Sequence, residues 1–226
     1  MDFRLKQLMR GIDLNYQQAH FTWREVTPQA LQVNLFRKEV WDSMASYNTS
    51  EVAESYFAKS KNLSIKNQLM YVDMNTYLLN DHLRKVDRMS MAHSLEARVP
   101  FLDHRIVELA ASLPSEYKVN FFQTKRILKQ ISKDLLPKSV IYGKKKGLTS
   151  PIAEWIFSGL KNYINDSLKG GLTDELFDPA VVQQTLEDHY NKKKDNSRII
   201  WGLVTLQNWS KKLKLSHTTQ SHANAS

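Results

Sequence analysis

The chain has 226 residues, 42% of them hydrophobic, with 32 Lys and Arg against 23 Asp and Glu for a formal charge of +9. That length and apolar content suit one domain with a substantial core and exclude a wholly disordered chain. The absence of cysteine removes disulfides and thiolate chemistry and is compatible with a reducing compartment.

Taken in order, the segments read as helices with no convincing strand alternation. Thr27-Pro28 places a capping residue before a proline and predicts a helix running towards Met44. Further helices are expected near 50–60, 64–79, 82–94, 103–112, 124–135, 151–168, 179–192 and 197–213. Ser150-Pro151 and Asp178-Pro179 repeat the cap-then-proline pattern, and Gly170-Gly171 ends a helix. The stretch 199–209 is too short to span a bilayer, and no apolar signal region follows Met1, so no membrane is expected and the cytoplasm is the default location. No internal repeat is present. Residues 1–215 read as one domain, and the Ser-, Thr-, His- and Asn-rich tail 216–226 as disordered.

Lysines cluster at 144–146, 192–194 and 211–212, in unrelated segments. They read as solvated loops and helix ends, so no nucleic-acid partner is expected. No His, Asp or Glu cluster has metal-site spacing, and His93 and His104 read as ordinary helix residues.

The run 86–105, VDRMSMAHSLEARVPFLDHR, carries the most information. Its charges interrupt an apolar pattern, so some of Asp87, Arg88, Glu96 and Arg98 are expected to be buried and paired, at a cost that needs a reason. Locally it predicts a helix, an extended turn at Arg98-Val99-Pro100, and a new helix capped near Asp103. The run closely resembles the VDR-SMA-S-E-RVPFLDHR stretch of glutamine-dependent asparagine synthetases. Tyr77–Lys85 is similar to that family's YLPDDLLVK lead-in, with Leu79 where the family often has Pro. Residues 144–155, from Lys144 to Trp155, resemble its RPKQGFGVP-AEW segment, with Lys145 on the lysine, Gly147 on the glycine and Leu148 on the usual phenylalanine. The likeness is strong from about Tyr71 to Trp155 and fades on both sides.

The resemblance implies a mainly α fold: the helical C-terminal portion of an adenine-nucleotide α-hydrolase-like (Rossmann-like) synthetase domain, with little or no sheet. It implies asparagine formation from aspartate through a β-aspartyl-adenylate attacked by ammonia. Lys145 would stabilise charge on the phosphates, and Asp81 would lie near the substrate amino group. Lys85, Asp87, Arg88, Glu96, Arg98 and Gly147 would support the substrate and ATP site. ATP and magnesium are implied for the complete enzyme, and neither is expected to bind this chain alone. The family's glycine-rich SGGxDS loop, its acidic GxGxDE motif and the terminal cysteine of its glutaminase domain do not occur in these 226 residues. The chain alone is therefore expected to be inactive, to need an N-terminal half carrying the ATP loop and glutaminase, or to self-associate. Rival readings are a β-lactam or peptide macrolactam synthetase of the same fold, and a non-catalytic interaction module.

Overall fold

A computed structural model describes residues 9–44, 46–144, 147 and 150–223, with side chains described as far as 213. The architecture is mainly α, as expected. Among the described residues the β pairing amounts to two isolated bridges, Phe36–Phe177 and Val119–Thr124. No described helix is long and apolar enough to cross a membrane. The chain divides into two compact units, one made of residues up to 14, 21–47 and 148 onward, the other of 15–20 and 48–147.

The first unit holds the larger core. Leu35, Ile156, Ile164, Leu168, Phe177, Val182, Leu186, Ile199, Ile200, Leu203 and Val204 form one buried cluster. The helices Ile152–Ser158, Lys161–Ser167, Pro179–Tyr190 and Ser197–Ala223 supply most of it. The sequence predicts a single helix from Pro28 to Met44; instead Gln29–Leu35 and Lys38–Ser43 are separate. Phe36 leaves the helix in an extended conformation to bridge Phe177, while Arg37 N–H donates to Leu176 O at 2.9 Å and Asp178 N–H to Leu35 O at 2.9 Å. Long-range pairing and the Phe36–Phe177 ring contact at 4.8 Å override the local propensity. The expected helix 151–168 likewise divides at Gly159 and Leu160. Asp178 caps its helix as the sequence suggests, its Oδ1 accepting from Ala180 N–H at 2.8 Å and Val181 N–H at 3.2 Å. The last helix continues to Ala223, beyond the end near 213 that the sequence suggests.

One buried amide ties this unit together. Gln207 Oε1 accepts from Thr173 N–H and Oγ1, both at 3.1 Å, and its Nε2 donates to Gly170 O at 2.7 Å. Gly171 must be glycine here: φ is +64°, and a Cβ would come within 2.9 Å of Gln207 Nε2.

The second unit packs Tyr16 edge-on to Phe57 with ring centroids 6.0 Å apart. Around that contact lie the helices Glu51–Lys59 and Ile65–Asp73, which bury Ala53, Phe57, Gln68 and Val72. Tyr16 Oη donates to Gln68 Oε1 at 2.8 Å, and His20 Nε2 lies 2.7 Å from Asp73 Oδ1. The backbone then continues as a π-helix over Met74–Leu83 and an α-helix over Arg84–Met91, without the break near 79–82 that the sequence suggests. Polar side chains accompany the change of register. Asn75 Nδ2 donates to Tyr71 O at 2.8 Å, Thr76 Oγ1 to Val72 O at 2.7 Å and Asn80 Nδ2 to Asn75 O at 3.4 Å. They take up carbonyls where the i→i+4 ladder gives way.

Candidate functional site

Downstream of the π-helix the signature run folds as its residues suggest. The helix Arg84–Met91 ends in a turn at Ser94 (φ 58°), and Val99 is extended (φ −109°, ψ 104°). Pro100–Leu102 then forms a 3₁₀ turn with proline at its start, and the helix His104–Ser112 opens on Asp103. Asp103 is the cap: its Oδ1 accepts from Arg105 N–H at 3.0 Å. Arg105 also closes a two-pronged clamp on the same carboxylate, Nε to Oδ1 and Nη2 to Oδ2 both at 2.9 Å. The Arg105 side-chain hydrogen bond, with its backbone N–H, holds the Asp103 carboxyl below the usual aspartate range, and the same clamp raises Arg105.

The run encloses an open cavity of about 470 Å³. Leu83, Val86, Val99, Pro100 and Leu102 give it an apolar body, and Asp87, Arg98 and Asp103 bring charge to it. An apolar body with a few convergent polar groups is the usual make-up of a small-molecule site. Two carboxylates and one guanidinium can orient a polar substrate here by hydrogen bonds and charge.

Of the residues singled out from the sequence, the cavity brings together Asp87 and Arg98, while Asp81, Lys85, Arg88 and Glu96 are not among its walls. Asp81 sits on the π-helix, where its Oδ1 is 2.9 Å from Lys85 Nζ and its Oδ2 is 3.9 Å from His82 Nδ1. Glu96 pairs with Arg98 at 2.5 Å. Gly147 is exposed, and Lys145 and Leu148 lie outside the described residues. His93 Nδ1 is 3.0 Å from Met89 O, a local helix contact.

The expectation of buried, paired charges is corrected. The side chains of Glu96 and Arg98 are 67% and 85% exposed, and Asp87 and Arg88 are exposed as well. The physical reason is that no described element covers the run: the π-helix and the helices Arg84–Met91 and His104–Ser112 bury no residue. Apolar side chains share that exposure, among them Met89, Leu95, Phe101 and Leu109.

The Asp103–Arg105 clamp was not singled out by the sequence reading, although an Asp two residues before an Arg, after Pro-Phe-Leu, carries the cap-and-clamp pattern. The π-register under Asp81 was also missed; its one signal is the polar trio Asn75, Thr76 and Asn80 inside an otherwise helical stretch. Among the described residues no group of three or more His, Asp or Glu could hold a metal ion.

The family model described as asparagine synthase matches residues 4–211. Glutamine-hydrolyzing asparagine synthetase 1 of Bacillus subtilis is 36% identical over 159 residues, which takes in 70% of this chain and 25% of that protein. Asparagine synthetase 3 of the same organism is 38% identical over 124 residues, covering 54% of this chain and 20% of that protein. The Gallus gallus asparagine synthetase is 34% identical over 119 residues, covering 48% and 21%. The chain thus spans about a quarter of the length of the first of these relatives. No solved structure matches the chain.

Proposed function

The chain belongs to the asparagine synthase family, and from that premise we propose that it forms the helical wall of an ATP-dependent amide-forming site that converts aspartate to asparagine. One observation carries the reading. The family signature is laid out as an open, charged cavity on a face where no residue between 74 and 114 is buried. A face of that kind is suited to being closed by a nucleotide-binding segment.

In the proposed reaction a side-chain carboxylate oxygen of aspartate attacks the α-phosphorus of ATP. A P–O bond forms and pyrophosphate leaves. Ammonia nitrogen then attacks the acyl carbon, AMP leaves with the bonding electrons, and the nitrogen gives up one proton to water. Both steps build negative charge on oxygen, so preorganised cations contribute most. Lys145 is assigned that role and Asp81 the substrate ammonium, with Lys85 keeping the Asp81 carboxylate oriented through their 2.9 Å pair. Arg98 and Asp87, as cavity walls, orient the substrate, and Arg88, Glu96 and Gly147 support the surrounding turn. ATP phosphates and magnesium are assigned to a segment carrying the SGGxDS loop, and ammonia to glutamine hydrolysis elsewhere.

The test combines this chain with a polypeptide carrying that loop and follows pyrophosphate release dependent on aspartate and ammonia. Release is expected from the combination and not from the chain alone, which should self-associate in sedimentation until the second polypeptide gives a soluble complex. Lys145→Ala in that complex should slow turnover by about 10²–10³-fold. A stable complex that releases no pyrophosphate, or release by the chain alone, would reject the proposal.

A further inference from the structure

A second cavity lies in the first unit, lined by residues between 161 and 191. It has a volume of about 590 Å³, within the roughly 300–1,000 Å³ typical of small-molecule sites. Helical spacing explains its walls. Lys161, Asn165 and Leu168 recur on one face of the segment around the helix Lys161–Ser167, and Gln183, Glu187 and Tyr190 on one face of the helix Pro179–Tyr190. Leu168, Val182 and Leu186, all buried, give it an apolar floor.

The polar groups above that floor are held in place. Lys161 Nζ stands 4.6 Å from the centre of the Tyr190 ring, a cation–π contact that fixes the ammonium at the cavity wall. Tyr190 Oη donates to Asn165 Oδ1 at 3.1 Å, and burial pushes the phenol up from its ordinary range, so it stays a neutral donor. Gln183 Nε2 donates to Glu187 Oε1 at 2.8 Å, which orients the carboxylate and leaves it further lone pairs. The helix Lys161–Ser167 therefore presents an ammonium and the helix Pro179–Tyr190 a carboxylate, with amide groups on both; Lys169, paired with Asp166 at 2.9 Å, and Asp174 add one charge of each sign to the lining.

We propose that this cavity binds a free α-amino acid as its zwitterion, the ligand carboxylate towards Lys161 and the ligand ammonium towards Glu187. A ligand with a single charge would meet one complementary pole and one repulsive pole; a zwitterion satisfies both. The amides of Asn165 and Gln183 favour a side chain that can both donate and accept, such as a carboxamide. Such binding does not depend on the amide-forming reaction, and the residues that would carry it lie outside the run 86–105.

Isothermal titration calorimetry of the chain with L-asparagine and with L-glutamine is the test. Saturable one-site binding is expected. N-acetyl-L-asparagine lacks the ammonium and the α-amide of asparagine lacks the carboxylate, so each should bind at least about tenfold more weakly. Lys161→Met keeps its stem on the Tyr190 ring and Glu187→Gln keeps its shape, and each should cost a similar factor. Lys61→Ala, at an exposed residue outside the cavity walls, should leave this binding unchanged. No saturable binding at millimolar amino acid, equal binding of the capped ligands, or binding indifferent to both substitutions would overturn the proposal. If a variant does not fold by circular dichroism, the capped ligands on the unmodified chain decide alone.

Discussion

The two units solve opposite problems. The first buries eleven apolar residues in one cluster and ties Gly170 and Thr173 to Gln207 in its interior. The second has a small core around Phe57 and Val72, and then a long stretch, 74 to 114, in which no residue is buried. Leu95, Phe101 and Leu109 belong to that stretch and are exposed. The first unit exposes Trp155 and Trp209 too, but it consumes apolar faces in one large cluster where the second, over 74 to 114, presents them. The family signature lies wholly in the presenting part. Stability and site-building are thus assigned to different stretches of one chain, and substitutions can separate them.

The largest effect is expected in the consuming unit. Ile200 is 0% exposed within the core cluster, and Ile200→Ala should cost about 2–5 kcal/mol, read as a lowered denaturation midpoint. Leu109, 63% exposed, is its counterpart, and Leu109→Ala should change the isolated chain's stability by roughly 0.5 kcal/mol or less. If the two substitutions cost the same, the contrast between the units is wrong. In the complex proposed for amide synthesis, Leu109→Ala should weaken association instead, which sharpens the contrast.

A smaller effect is expected at the signature charges. The Glu96–Arg98 pair is exposed, so Arg98→Ala should lower stability by only about 0–1 kcal/mol. The complemented reaction should nevertheless lose turnover, because Arg98 lines the cavity. A large drop in melting temperature for the isolated chain would show that Arg98 is covered after all.

Much of this was legible in the sequence. The all-helical class followed from apolar spacing, and the turn at Arg98-Val99-Pro100 and the caps at Asp103 and Asp178 followed from local chemistry. The break at Phe36 was not legible, because it is set by Phe177, 141 positions later, through a bridge and a ring contact. Burial of the signature charges was inferred wrongly for a related reason. Mixed charged and apolar residues fit a covered surface and an open one alike, and residue pattern alone does not say which of the two the chain adopts. The π-helix was hidden because its apolar spacing departs little from an α-helix over ten residues; only Asn75, Thr76 and Asn80 mark it.

The smallest effect expected is a pH dependence confined to the start of the helix His104–Ser112. Asp103 accepts from Arg105 by side chain and backbone, and these bonds lower its carboxyl from the ordinary value of 3.8. A depressed folded-state carboxyl contributes stability above the unfolded value, and that contribution is lost as pH falls through the lower folded value. Hydrogen exchange of the amides at 105–107, compared at neutral pH and well below 3.8, should therefore show faster opening in acid after correction for intrinsic rates. Asp103→Asn keeps a capping oxygen but gives up the charged clamp, so it should flatten that dependence while holding the helix start in place. Because the clamp belongs to the presenting unit, the acid-induced opening should stay local and leave the midpoint of the first unit where it was. An acid transition in which the Ile200 region opens together with Asp103 would mean the two units share one cooperative fold, and the division of labour between them would fail.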